Sequence, residues 1–263
     1  MTTLESIIIA VVEGLTEFLP ISSTGHMIIA EKLLAIPPTE FTKVFTVAIQ
    51  LGAILAVVVL YWKKFFDFKN WQFYLKLIAG VLPALVFGFL FSKKIDLLLE
   101  SALTVAISLL LGGIILLFIE KLFKDPSVHS EKEVGFKQAT IIGIWQCIAM
   151  IPGVSRSAAS IIGGMQQKLT RNAAAEFSFF LAVPTMLAAT GYKLLKFFKE
   201  TGGFSEKEIQ LLAIGNLVAF IVALLAIKLF IGFLKKYGFR IWGIYRIAVG
   251  AIMLVLIFMG IIK

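Results

Sequence analysis

Glu13 and Glu17 stand four residues apart and are followed at once by Ser22, Ser23, Thr24 and His26, in the run Glu-Gly-Leu-Thr-Glu-Phe-Leu-Pro-Ile-Ser-Ser-Thr-Gly-His. On a helix the two carboxylates share a face and repel, so something positive belongs between them. A divalent cation, Mg²⁺ or Ca²⁺, answers this economically, because Mg²⁺ is commonly held by one or two carboxylates plus substrate phosphate oxygens and waters. The alternatives are a proton kept on one Glu or neutralisation by a distant arginine. His26 lies three residues after Ser23 and four after Ser22, within helical reach of either hydroxyl. That pattern suits a serine nucleophile with a histidine acid-base partner. Spacing alone does not choose between the serines, or between a phosphoseryl intermediate and direct attack by water.

A second polar island, Pro152-Gly153-Val154-Ser155-Arg156-Ser157, supplies a cation. Pro20 ends one short helix, and Ser22, Ser23 and Thr24 are natural caps for the next. The second island repeats this design: Gly153 permits close backbone approach, Ser155 or Ser157 caps, and Arg156 can fork onto phosphate oxygens. Two helix N-termini converging on one point form a site for an anion, and a phosphate suits it. Gln50, Thr185 and Glu176 are secondary polar residues in apolar stretches; Glu176 either faces Arg156 or lies at a membrane edge. Arg246 and Lys228 are read as snorkelling side chains near span ends, His129 as a loop residue and Cys147 as a small core residue.

The elements that must position these residues are lipid-soluble. The 263-residue chain is 59% hydrophobic with 24 Phe, and its mean hydropathy of +0.96 lies far outside the range of a soluble domain. Ionisable groups at membrane depth are costly, which marks them as functional. Six stretches are long enough to span a bilayer: Phe41 to Trp62, Leu75 to Phe91, Ala102 to Ile119, Ala173 to Leu195, Ile209 to Phe230 and Ile241 to Ile262. Four others are too short: Ile7 to Leu19, Met27 to Leu34, Ala139 to Met150 and Ala158 to Met165. They form two pairs, each broken by Pro with Ser or Gly, the pattern of a re-entrant hairpin.

The halves match weakly at an offset of 132 residues, pairing Pro20 with Pro152, Ser23 with Ser155 and Lys64-Phe65-Phe66 with Lys196-Phe197-Phe198. One hairpin plus three crossings per half inverts the second half, as in transporters. The expected fold is therefore an all-α polytopic membrane protein, one integral domain over 1–263, with six transmembrane helices, two re-entrant pairs and inverted-repeat halves of about 1–131 and 132–263. The net charge of +9 sits largely in short loops, where Lys and Arg set topology. Nucleic-acid binding is thereby excluded, and both termini are expected outside. The first apolar run contains two carboxylates and lacks a basic leader, unlike a cleavable signal peptide. One cysteine leaves no intramolecular disulfide and no Cys-based metal site.

Both motifs closely resemble the signatures of the undecaprenyl-pyrophosphate phosphatase family, the bacitracin-resistance type, and the resemblance extends along the chain through Val47-Ala48-Ile49-Gln50-Leu51-Gly52 and Ala175-Glu176-Phe177-Ser178-Phe179. It implies a bacterial inner-membrane hydrolase that converts undecaprenyl pyrophosphate to undecaprenyl phosphate and inorganic phosphate. This recycles the carrier lipid of cell-wall synthesis on the outer, periplasmic face, and the enzymes are often homodimeric. By position, Glu13 and Glu17 become the acidic, metal-holding pair and Ser23 the nucleophile. His26 becomes its acid-base partner and Arg156 the phosphate clamp, with Ser22, Thr24, Ser155 and Ser157 lining the pocket. Gly153, Gln50 and Glu176 complete the expected substrate contacts. The rival is a transporter or flippase for polyprenyl phosphate or another anion, which shares the architecture. An acid-phosphatase-like lipid phosphatase ranks lower, because that chemistry needs a second histidine.

Overall fold

Ser and Thr side chains define most helix starts: Thr2, Ser22, Thr39, Ser101, Ser155, Thr170 and Ser205 each accept a hydrogen bond from a first-turn N–H. The computed structural model describes residues 1–99 and 101–261, with the backbone alone at 92–97 and 99. In chain order the helices are α1 (Thr3–Thr16), α2 (Ser23–Leu33), α3 (Glu40–Ala48), α4 (Gln50–Leu60), α5 (Trp62–Phe65), α6 (Trp71–Leu99), α7 (Ala102–Leu122), α8 (Phe136–Cys147), α9 (Arg156–Gln166), α10 (Arg171–Thr201), α11 (Glu206–Tyr237) and α12 (Arg240–Phe258). Among the described residues the only β feature is an isolated bridge between Val128 and Leu169.

Six helical stretches are long and apolar enough to cross a membrane: Glu40–Leu60, Trp71–Phe91, Ala102–Leu122, Arg171–Thr201, Glu206–Tyr237 and Arg240–Phe258. The chain is a multi-pass membrane protein. The first of these stretches is not continuous, contrary to its reading as one run: it breaks at Ile49 between α3 and α4. The break is sealed by Thr190, which donates to the Val47 carbonyl at 3.1 Å, and by Asn216 Oδ1, which accepts from Gly52 N at 2.8 Å. Lys263 and the Ile262 end of the last predicted crossing lie outside the described residues, as do the side chains of Lys93 and Lys94.

The four short apolar runs become α1, α2, α8 and α9, of 14, 11, 12 and 11 residues. They pack as α1 with α2 and α8 with α9. The two pairs share one local design at a spacing of 133 residues. Their first helices begin at Thr3 and Phe136, and their second helices span Ser23–Leu33 and Arg156–Gln166. Each second helix follows a left-handed cap, Ser22 or Ser155, and precedes a second left-handed residue, Ala35 or Lys168. Even the closing bonds correspond, Ile36 N to Glu31 O and Leu169 N to Gly164 O. The offset of 132 is corrected by one residue here: Ser155 answers Ser22, and the counterpart of Ser23 is Arg156.

Each pair leans on the opposite half, since α1 packs on α11 and α8 on α6. Small residues permit this: a Cβ on Gly14 would lie 2.8 Å from the Ala219 carbonyl, and one on Gly143 would collide with the Gly80 carbonyl. Phe18, Phe179, Phe180 and Phe230 fill the main core beside the hairpins.

Candidate active site

The two interhelical loops are joined side chain to backbone. Ser157 Oγ, from α9, donates to the Phe18 carbonyl at 2.8 Å, and Ser155 Oγ reaches the Leu19 carbonyl at 3.5 Å. Both caps are strained: Ser22 has φ 72° and Ser155 φ 74°, a region non-glycine residues avoid. Their hydroxyls accept from Gly25 N at 3.3 Å and Ala158 N at 3.2 Å. Gly153 is required where it stands, with φ 88° and no room for a Cβ, which would lie 2.6 Å from the Val105 carbonyl.

This seam brings Glu17, Ser23 and Arg156 together. Ser23 Oγ donates to Glu17 Oε2 at 2.5 Å. The other oxygen, Oε1, accepts from Arg156 Nη2 at 3.2 Å and Nε at 3.4 Å. Arg156 Nη1 donates to the Ser178 carbonyl at 3.0 Å, and its Cζ lies 5.9 Å from the Phe18 ring centroid. The side chains of Arg156 and Glu17 are only 13% and 6% exposed, so each needs the other. Ser160 steadies this end by donating to the Arg156 carbonyl at 2.8 Å.

Glu13 lies one turn before Glu17, is fully buried, and neither carboxylate oxygen has a hydrogen-bond partner among the described residues. A buried carboxylate without a donor is costly and calls for a proton or a cation. Among the described residues no third His, Cys, Asp or Glu groups with the pair. Two carboxylates plus ligand oxygens and waters are a donor set that Mg²⁺ accepts.

His26 does not bond Ser23, contrary to its expected pairing with a serine hydroxyl. Its Nδ1 lies 2.8 Å from the Ser22 carbonyl and its Nε2 2.8 Å from Tyr245 Oη. A carbonyl only accepts, so Nδ1 carries the proton and Nε2 of the neutral ring is the basic nitrogen. The two rings stack at 5.6 Å and 6°. Thr24 lies half-buried in the first turn of α2.

Glu176 is not at this seam. It pairs at 3.9 Å with Lys64, which also bonds Glu131 and sits 5.0 Å from the Phe180 ring centroid. Gln50 starts α4 at the Ile49 break, half-buried. Thr185 Oγ1 accepts from Gln146 at 3.1 Å. Cys147 is half-buried rather than fully in the core, its Sγ donating to the Gly143 carbonyl at 3.3 Å. His129 is a loop residue whose N–H donates to Glu133 at 3.0 Å.

The family profile described as "Bacitracin resistance protein BacA" matches residues 6–252. The chain belongs to the BacA family. An undecaprenyl-diphosphatase of Flavobacterium psychrophilum is 58% identical over 258 residues, 98% of this chain and 97% of its own. Others so named, from Porphyromonas gingivalis strain W83 and Aquifex aeolicus, are 50% and 46% identical, covering 99% of both chains in the first case and 96% and 97% in the second.

The residue that reading of this BacA-family sequence missed is Arg246. It does not snorkel: it is 0% exposed and bonds backbone carbonyls of both loops. Its signal is depth, since it lies six residues inside α12, about 9 Å along the axis from Arg240. Lys228, by contrast, is exposed. Tyr245 was equally silent, because a single tyrosine in an apolar helix has no spacing to read.

Proposed function

We propose that this chain hydrolyses undecaprenyl diphosphate to undecaprenyl phosphate and inorganic phosphate. The observation that carries this reading is the contact of Ser23 and Arg156 with opposite oxygens of the one Glu17 carboxylate. A hydroxyl held on a carboxylate beside a guanidinium is a nucleophile, its base and a phosphate clamp, and a carrier has no need of the first two.

In this mechanism Glu17 takes the Ser23 proton as Oγ attacks the terminal phosphorus. Ser22 is less suited, because its hydroxyl caps α2. The bond to the bridging oxygen breaks and undecaprenyl phosphate leaves. That leaving group is itself a phosphate, so it needs charge stabilisation more than a proton. Arg156 and the free N–H groups at the starts of α2 and α9 provide it. His26 Nε2, acting through the Tyr245 hydroxyl it accepts from, then takes a proton from the water that attacks the phosphoserine, and Glu17 returns its proton to Ser23 Oγ as phosphate leaves.

Glu13 and Glu17 would hold a divalent cation, and the two unpartnered oxygens of buried Glu13 fit that role. When bound, such an ion neutralises diphosphate charge and orients the phosphoryl group.

The paired short helices are read as re-entrant hairpins, and the two halves of this single integral domain as an inverted repeat. The common 133-residue design and the exchanged packing of α1 on α11 and α8 on α6 support this. The location is the bacterial inner membrane, with the site open to the periplasmic face and the chain paired as a homodimer. The distribution of basic loops favours external termini.

Purified protein in detergent should release phosphate from a polyprenyl diphosphate without any membrane gradient. Chelation should stop the release and Mg²⁺ or Ca²⁺ restore it. Gradient-dependent movement of lipid without phosphate release would replace the enzyme by a carrier.

A further inference from the structure

Arg246 is a buried cation in the apolar helix α12, and no carboxylate among the described residues pairs with it. Backbone carbonyls take all of its donors. Nη1 donates to Pro20 O at 3.0 Å and Val154 O at 2.9 Å; Nη2 donates to Gly153 O at 2.9 Å and Ser108 O at 3.0 Å; Nε donates to Leu109 O at 3.4 Å. One guanidinium therefore ties α7 and α12 to the loop before α2 and the loop before α9. Such burial of an unpaired charge is expensive unless the fold gains something from the geometry it imposes.

What it imposes follows from peptide planarity. In a trans peptide the C=O and the following N–H point in opposite directions. With the Pro20 and Val154 carbonyls drawn onto Arg246, the N–H groups of Ile21 and Ser155 are turned away from it. The Val154–Ser155 peptide leads directly into the strained cap Ser155, and the Pro20–Ile21 peptide lies one residue before the strained cap Ser22; Arg156 and Ser23 follow the two caps. Strain of that kind persists only where the surroundings over-determine the backbone. Arg246 supplies that constraint to both loops at once.

We propose that Arg246 is a positioning residue for the diphosphate reaction, which aims the Ile21 and Ser155 N–H groups at phosphoryl oxygens held between Ser23 and Arg156. This rests on the phosphatase reading for its substrate but assigns a role to a residue that touches neither substrate nor cation. Fixed backbone donors aimed at developing charge act chiefly in the transition state. KM, governed largely by the lipid tail, changes little.

Two variants test it. Arg246→Lys keeps the charge but has three donors where arginine has five. Gly112→Ala leaves Arg246 and both loops intact in sequence, but its Cβ would overlap Nη2 and lie 2.7 Å from Cζ, displacing the guanidinium. In folded, monodisperse protein each should lower kcat at least about tenfold with KM within about threefold, the scale of a lost oxyanion donor or less. Inorganic diphosphate should raise the melting temperature of the wild type, and each variant should lose most of that rise. Unchanged kcat and diphosphate response in Gly112→Ala and Arg246→Lys would overturn the proposal. So would a loss explained wholly by a smaller folded fraction. Should the wild type release no phosphate, the phosphatase reading fails, while the diphosphate melting shift still decides the role of Arg246.

Discussion

Ser23 donates to Glu17 Oε2 over 2.5 Å, and this bond spans the Pro20 turn that separates their two helices. In the mechanism proposed above it is this contact that makes Glu17, rather than His26, the base for Ser23. Glu17→Gln keeps the size of the side chain and removes the basicity. We expect kcat for phosphate release to fall at least about a hundredfold, the usual scale for a lost general base. Near-normal turnover in purified protein would remove Glu17 from that role.

Arg156 reaches Glu17, the Ser178 carbonyl and the Phe18 face together, which only a planar, forked cation does. Arg156→Lys should therefore cost at least about tenfold in kcat/KM, and Arg156→Ala about a hundredfold or more. Equal activity of Lys and Arg variants would reduce the clamp to a point charge.

Glu13 accepts no hydrogen bond from the described residues. Glu13→Gln should raise the Mg²⁺ concentration for half-maximal activity at least about tenfold, because even indirect partners of a metal site change affinity on that scale. Titrating chelated protein with Mg²⁺ measures this; an unchanged requirement would point to a proton on Glu13 instead.

Tyr245 holds His26 Nε2 by a hydrogen bond and a parallel ring. Tyr245→Phe keeps the stacking and removes the hydroxyl. Turnover is expected to fall about tenfold or more with KM nearly unchanged, the low end of an acid-base contribution. A variant indistinguishable from wild type would free His26 from that partner.

Lys64 and Glu131 join the loop after α7 to the short helix α5, outside the crossings. Burial pushes the Glu131 carboxyl up, but the hydrogen bond and charge of Lys64 outweigh it and hold it below the ordinary range. The stabilisation is then complete above the unfolded carboxylate value of about 4.3 and is lost as pH falls through the folded value. Glu131→Gln should melt about 2–4 °C below wild type near neutral pH, with the gap closing in acid. A gap independent of pH would mean that packing, not charge, holds this loop.

By itself the sequence determined the membrane class, the helical periods, the four short helices and the identity of the polar residues. These follow from local properties: run length, caps and the cost of charge in lipid. Tertiary structure alone decided the rest. Which oxygen of Glu17 meets Ser23 and which meets Arg156 depends on joining residues 139 apart. His26 was drawn to Tyr245, 219 residues away, and Glu176 to Lys64, because hydrogen-bond partners are set by packing rather than by helical spacing. Arg246 shows the difference most clearly: its burial is paid for by five carbonyls from three separate segments, which no pattern along the chain contains.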